Sequence, residues 1–275
     1  MALEIIIETE AAQIHTGLAG IVREHLPFAT WAFTSGSVPY GAAVRGRSDA
    51  DVNIVFDAGT IADPPLIAAI NRFVDALEAL HIAHGLVLDH KYPGEYLTVP
   101  QARDAAAGRG VPIRDGAACL PHEPGDSYWD TSEETWYLAW LGALSFSRLI
   151  YGNQDTFRDL RRQAWQTIVL LCLPDLRDQN LTDAAVLQRI SQHDHPSGGF
   201  GIHPGYRRFA DLELTSVQQA LADLSGSGFL HPDAGAYQVD QQSLDSWHAQ
   251  LAAHHRDGYK AANLLTVASS CQVAR

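Results

Sequence analysis

Between Gly36 and Val55 the chain joins a glycine-bounded turn to a segment carrying two carboxylates two residues apart, and few folds accommodate both. The turn reads Gly36-Ser37-Val38-Pro39-Tyr40-Gly41 and leads to Ser48-Asp49-Ala50-Asp51-Val52-Asn53-Ile54-Val55. In a strand, side chains alternate between faces, so Asp49 and Asp51 point the same way while Val52, Ile54 and Phe56 supply apolar burial. Two carboxylates on one face repel unless a cation sits between them. Mg2+ is the natural ion, because it takes one or two carboxylates together with phosphate oxygens. Gly36 and Gly41 let backbone N–H groups approach phosphate, and Ser37 adds a hydroxyl donor. The loop carries no Lys, so it is not a P-loop.

A Gly-Ser turn closed by a second glycine and followed by Ser-Asp-x-Asp in a strand resembles the nucleotidyltransferase superfamily of DNA polymerase β type, over roughly residues 8–110. The small two-domain antibiotic nucleotidyltransferases are similar in size and layout. The resemblance implies a third acidic residue on a neighbouring strand, and Asp89, at the end of His84-Gly85-Leu86-Val87-Leu88-Asp89, is the residue that matches. It implies that Asp49, Asp51 and Asp89 are catalytic and hold Mg2+, with Asp89 either a metal ligand or the base for an acceptor hydroxyl. It implies that Gly36, Ser37, Tyr40, Gly41 and Ser48 bind a nucleoside triphosphate, ATP by default. The expected reaction passes a nucleoside monophosphate to a hydroxyl of a small molecule.

Composition narrows the partners. The 275 residues include 19 Lys and Arg against 32 Asp and Glu, a formal net charge of −13. Such a chain repels nucleic acid unless its basic residues cluster, and Arg158, Arg161 and Arg162 are too small a group to do so. An acidic surface favours a cationic acceptor of aminoglycoside type. Cys119, Cys172 and Cys271 have neither disulfide nor zinc spacing. The N-terminus lacks the basic start and long apolar run of a signal peptide, and no run of 18 apolar residues occurs, so a cytoplasmic protein without a membrane partner is expected.

Periodicity predicts an α/β N-terminal domain over 1–110, a Gly- and Pro-rich linker over 111–131, and an all-α helical bundle over 132–275. Expected elements in the first are a helix over 8–26, strands over 28–34 and 49–56, a helix after Pro64-Pro65, strands over 84–89 and 96–99, and a short helix after Pro100. The second is expected to hold helices from about 132 through Leu149, then over 155–173, from Thr182 to Ile190, and over 208–225 and 242–267. The acceptor site is expected in the cleft between domains, with Tyr128, Trp129, Trp136 and Trp140 as candidate walls, although Trp136 and Trp140 also suit a helix core. Asp126, Asp130, Glu133 and Glu134 are candidate amine ligands or a solvated helix start. His193, Asp194, His195 and His203 read as a polar loop rather than a metal site. Arg161, Arg162 and Lys260 are either triphosphate contacts or surface charges. Two other functions are open: transfer to a macromolecule, and nucleotide binding without catalysis. Residues 182–241 have the pattern of a winged helix, but 214–224 contain no Lys or Arg, against DNA binding.

Overall fold

Ile14, Leu18 and Val22 recur at the spacing of one helical stripe, and they are the buried residues of α1 (Glu8–His25). The computed structural model describes residues 4–57, 64–89, 93–109, 140–176, 181–192, 200, 206 and 208–265, with side chains to 253. The architecture is mixed α/β, a small mixed sheet flanked by helices. Strand β1 (Ala29–Thr34) pairs antiparallel with β2 (Val52–Phe56), and β3 (Glu95–Thr98) runs parallel to β2. Helix α2 (Pro64–His84) lies between β2 and β3 in sequence, as a parallel pair requires. Helix α3 (Val99–Ala106) follows β3 directly, started by a capping box in which Thr98 and Gln101 bond each other's backbone N–H.

Alternation sorts the strand residues between two cores. Ala32, Val52, Ile54, Phe56 and Tyr96 pack with α1 and α2. Trp31, Phe33, Val55 and Leu97 pack with the C-terminal helices, above all α4 (Gln154–Cys172). Phe33 lies 5.2 Å from Phe157 between ring centroids, and the Trp31 indole donates to Thr156 Oγ1 at 3.1 Å. With both faces covered, every residue of β2 is buried.

Two expectations are corrected. The helix expected to run through Leu149 is helical over 140–145 and then gives way to β4 (Arg148–Gly152), which pairs antiparallel with β1, so the sheet order is β3-β2-β1-β4. The Ser147 hydroxyl turns back onto the Leu144 carbonyl at 2.5 Å, and the next residues satisfy the open edge of β1. The segment 84–89 is not a strand: His84 ends α2, and Gly85 takes the left-handed conformation (φ +65°) that stops a helix. Residues 86–89 then run beside the approach to β2, where Val87 N–H donates to the Ser48 carbonyl at 2.9 Å.

The C-terminal part also holds α5 (Asp183–Ser191), α6 (Phe209–Gly226), the hairpin β5 (Leu230–Asp233) and β6 (Ala236–Val239), and α7 (Gln241–Leu265). It is therefore not all-helical. Thr182 caps α5 as expected, accepting from Ala185 N–H, and an isolated bridge joins Leu181 to Tyr237. The order is helix, helix, hairpin, helix, and α6 contains no basic residue. The expected linker, Tyr128, Trp129 and Trp136, the acidic residues 126–134, and His193, Asp194, His195 and His203 lie outside the described residues.

Glu213 holds the C-terminal part to the Gly36–Gly41 turn. It is fully buried and receives Arg148 at 2.8 Å, Arg161 at 2.5 Å, Ser216 Oγ at 2.9 Å and the Tyr40 hydroxyl at 2.8 Å. Two guanidiniums and two hydroxyls satisfy both carboxylate oxygens, the condition under which a buried charge is tolerated. Arg162 pairs with Asp223, so both of these arginines are committed to ion pairs.

Candidate functional site

The turn after β1 is set by Gly36, whose φ of +72° lies in the left-handed region. A Cβ at this position would overlie Asp51 Oδ2, so the absent side chain is what lets the carboxylate lie against the turn. Asp49 and Asp51 sit on the extended approach to β2 rather than within it, and the Ser35 N–H donates to the Asp51 carbonyl at 3.3 Å. Asp51, Asn53 and Val55 alternate on the face toward the C-terminal helices, as Val55 shows by its packing there.

The cleft on that face has a volume of about 220 Å³. Ser35, Gly36, Asp51 and Glu95 line its sheet side, and Trp140, Ala143, Phe146, Phe200 and Tyr206 line the other. Gly142 lets the helical segment over 140–145 approach closely, because a Cβ there would strike the Phe200 carbonyl. Among the described residues none that lines the cleft is basic. Tyr206 is held flat against Tyr40, with ring centroids 5.0 Å apart and planes 10° from parallel.

Glu95 is the residue that sequence reasoning missed. It opens β3 level with Asn53 of β2, and the neighbouring pairs Tyr96 with Ile54 and Leu97 with Val55 show that register partners share a face. Burial, then Asp51, Asp49 and Asp89, push the Glu95 carboxyl up to about 8. Burial followed by Asp49 and Asp89 pushes Asp51 up to about 7, against the pull of its backbone hydrogen bond. Asp49 is also raised, by burial and to a lesser extent by Asp89, while a backbone hydrogen bond and His81 oppose. The Tyr206 phenol is raised by burial and by Asp51 and Asp49. These groups feel one another's charge, so the site crowds negative charge, and no cationic side chain lies on the cleft wall among the described residues.

The other expected residues are placed as follows. Asp89 is exposed, on the segment after α2, within electrostatic reach of the three carboxylates. Ser37 is half-buried in the turn, its carbonyl accepting from Ala42 N–H at 3.0 Å, and Gly41 closes the turn at φ +66°. Ser48 Oγ accepts from Val44 N–H at 3.0 Å within its own turn. Tyr40 is buried, its hydroxyl shared between Glu213 and the Phe146 carbonyl, so it faces the helical part rather than the cleft. Trp140 is both buried and part of the cleft wall.

Among the described residues no three His, Cys, Asp or Glu side chains are gathered closely enough to hold a metal ion unaided. Mg2+ does not require that, since it commonly takes one or two carboxylates and completes its shell with phosphate and water. Raised carboxyls beside a turn into which Asp51 fits only because Gly36 lacks a Cβ are a donor set that suits such an ion.

Gly36→Ala should destabilise the protein by about 2–3 kcal/mol, combining left-handed strain with displacement of Asp51. Gly20→Ala, inside α1 with no atom within 4 Å of the added Cβ, should stabilise by about 0.5–1 kcal/mol. Urea unfolding of both variants against the parent measures the contrast.

No protein-family model, curated protein or solved structure matches this chain. Among the described residues no helix is long and apolar enough to cross a membrane.

Proposed function

We propose that the protein is a nucleotidyltransferase that transfers a nucleoside monophosphate, with ATP the default donor, to a hydroxyl of a small acceptor. The observation that carries this reading is the crowding of Asp49, Asp51 and Glu95 beside the Gly36 turn, with carboxyls raised by burial and by one another. Asp49 and Asp51 would hold Mg2+, which supplies neutralisation of charge on the phosphates and on departing pyrophosphate. The Gly36–Gly41 turn offers backbone N–H groups and the Ser37 hydroxyl to the outer phosphates. The acceptor oxygen forms a bond to the α-phosphorus as the bond from that phosphorus to pyrophosphate breaks, and the hydroxyl proton passes to a carboxylate. Glu95 replaces Asp89 as the preferred base, because it lines the cleft and its raised carboxyl is near a useful working pH.

An amine-bearing acceptor fits this reading. Trp140 and Tyr206 opposite carboxylates, with no basic residue on the wall among the described residues, favour an ammonium group. The cleft volume is below the range that encloses a whole drug-sized ligand, so it suits the reacting ends of the two substrates.

The test is mass spectrometry of the protein incubated with Mg2+, each nucleoside triphosphate and a panel of aminoglycosides, lincosamides and aminocyclitols. A panel member gaining one nucleoside monophosphate supports the proposal. Pyrophosphate release without a modified panel member keeps the chemistry and moves the acceptor to another molecule, and neither product sinks the proposal.

A further inference from the structure

The buried stripe of α2 is Leu66, Ala69, Ile70, Phe73, Leu77 and His81, apolar except for its last member. His81 is 1% exposed, so its ring nitrogens need partners inside the protein. Nδ1 lies 2.8 Å from the Leu77 carbonyl and Nε2 lies 3.0 Å from the Ala50 backbone nitrogen. A carbonyl only accepts and an amide N–H only donates, so Nδ1 carries the proton and Nε2 accepts. The ring is thereby fixed in one tautomer and one orientation, anchored at one end to its own helix.

Ala50 is the residue between Asp49 and Asp51. Its peptide precedes the β1–β2 ladder, which begins at the pair Thr34 and Val52. The backbone here is held by Ser35 N–H on the Asp51 carbonyl, Val87 N–H on the Ser48 carbonyl, and the imidazole on Ala50 N–H. Of these three, the bond to His81 is the one made by a side chain, and it grips the link between the two carboxylates. Ala50 is itself 3% exposed, so water is a poor substitute for the imidazole.

We propose that His81 is a positioning residue for the carboxylate pair: through Ala50 N–H it fixes how Asp49 and Asp51 present their oxygens to a divalent cation. This rests on the nucleotidyltransferase reading. A histidine kept only for folding would affect stability when replaced, but not the cation affinity of the folded protein. Gln at this position keeps an acceptor for Ala50 N–H, whereas Leu fills similar volume and offers none.

The experiment is Mn2+ binding by electron paramagnetic resonance, with a non-hydrolysable nucleoside triphosphate present, on the full chain and on His81→Gln and His81→Leu, alongside thermal melts. The expected result is a Kd for Mn2+ raised about tenfold or more in His81→Leu and by less than about threefold in His81→Gln. A folded His81→Leu that binds Mn2+ like the parent overturns the positioning role, as does His81→Gln weakened as much as His81→Leu. Should His81→Leu not fold, histidine-ring 15N spectra of the parent decide. The Nε2 resonance that is absent in His81→Gln should move as Mg2+ saturates, and an unmoved resonance overturns the role. A parent protein that binds no Mn2+ overturns the nucleotidyltransferase reading, and this role with it.

Discussion

Asp51→Asn should abolish nucleotidyl transfer and make the metal-free protein more stable at pH 8. The two effects share one cause. Asp51 lies against Gly36 with its carboxyl pushed up to about 7 from an ordinary value of 3.8, by burial first and then by Asp49 and Asp89. A folded-state value above the unfolded one means that the folded protein favours the protonated form. Stability from this group is thus full below about pH 4 and is lost as pH rises through about 7. Three pH units correspond to about 4 kcal/mol at most, and sharing among coupled, partly solvated carboxylates reduces this to about 2 kcal/mol. Asn preserves the shape beside Gly36 and removes the charge. Its melting temperature should exceed the parent's by about 4–8 °C at pH 8 and match it near pH 3.5. Adding Mg2+ with nucleotide should raise the melting temperature of the parent and leave Asp51→Asn nearly unmoved. Transfer should fall by about a thousandfold or more, as expected when charge stabilisation at the reacting phosphate is removed. An Asn variant that is less stable at pH 8, or one that remains active, contradicts the account.

Such a trade of stability for a charged site is common where local rules are broken for function. It also explains which parts of the molecule were legible in the sequence. Helices with long apolar stripes, such as Glu8–His25 and Gln154–Cys172, were readable within a residue or so, because their burial repeats along the chain itself. The Gly36 turn was legible for the same reason, being a local pattern with a local physical demand, whereas the strand expected over 49–56 begins at Val52 and leaves Asp49 and Asp51 before it. β4 was not, because Leu149 and Ile150 suit either a helix end or a strand, and the open edge of β1 that decides between them is more than a hundred residues away in sequence. The strand expected at 84–89 failed because Gly85 in the left-handed region ends α2 without a ladder following it. His81 carries no local pattern in the sequence, and its meaning appears only with Ala50 beside it.

Glu95→Gln should cost far more activity than Asp89→Asn. The sequence pattern favoured Asp89 because it closes an apolar run that resembles a strand, but the strand that actually lies beside β2 begins at Glu95. The signal was present as a lone acid opening Glu95-Tyr96-Leu97-Thr98 after Pro93-Gly94; what was missing was the parallel register that sets it level with Asn53. Glu95 lines the cleft with Asp51, whereas Asp89 is exposed and acts on the carboxylates through its charge. A base that contacts the acceptor contributes about 10²–10⁴-fold, so Glu95→Gln should lower kcat by at least about a hundredfold. A charge acting from an exposed position is screened, so Asp89→Asn should change kcat by less than about tenfold. Losing the Asp89 charge should also relax Glu95 toward an ordinary carboxyl value, moving the acid limb of the kcat profile to lower pH. Steady-state pH profiles of the two variants separate the roles. Equal losses in both would return Asp89 to the catalytic set, and an active Glu95→Gln would remove Glu95 from it.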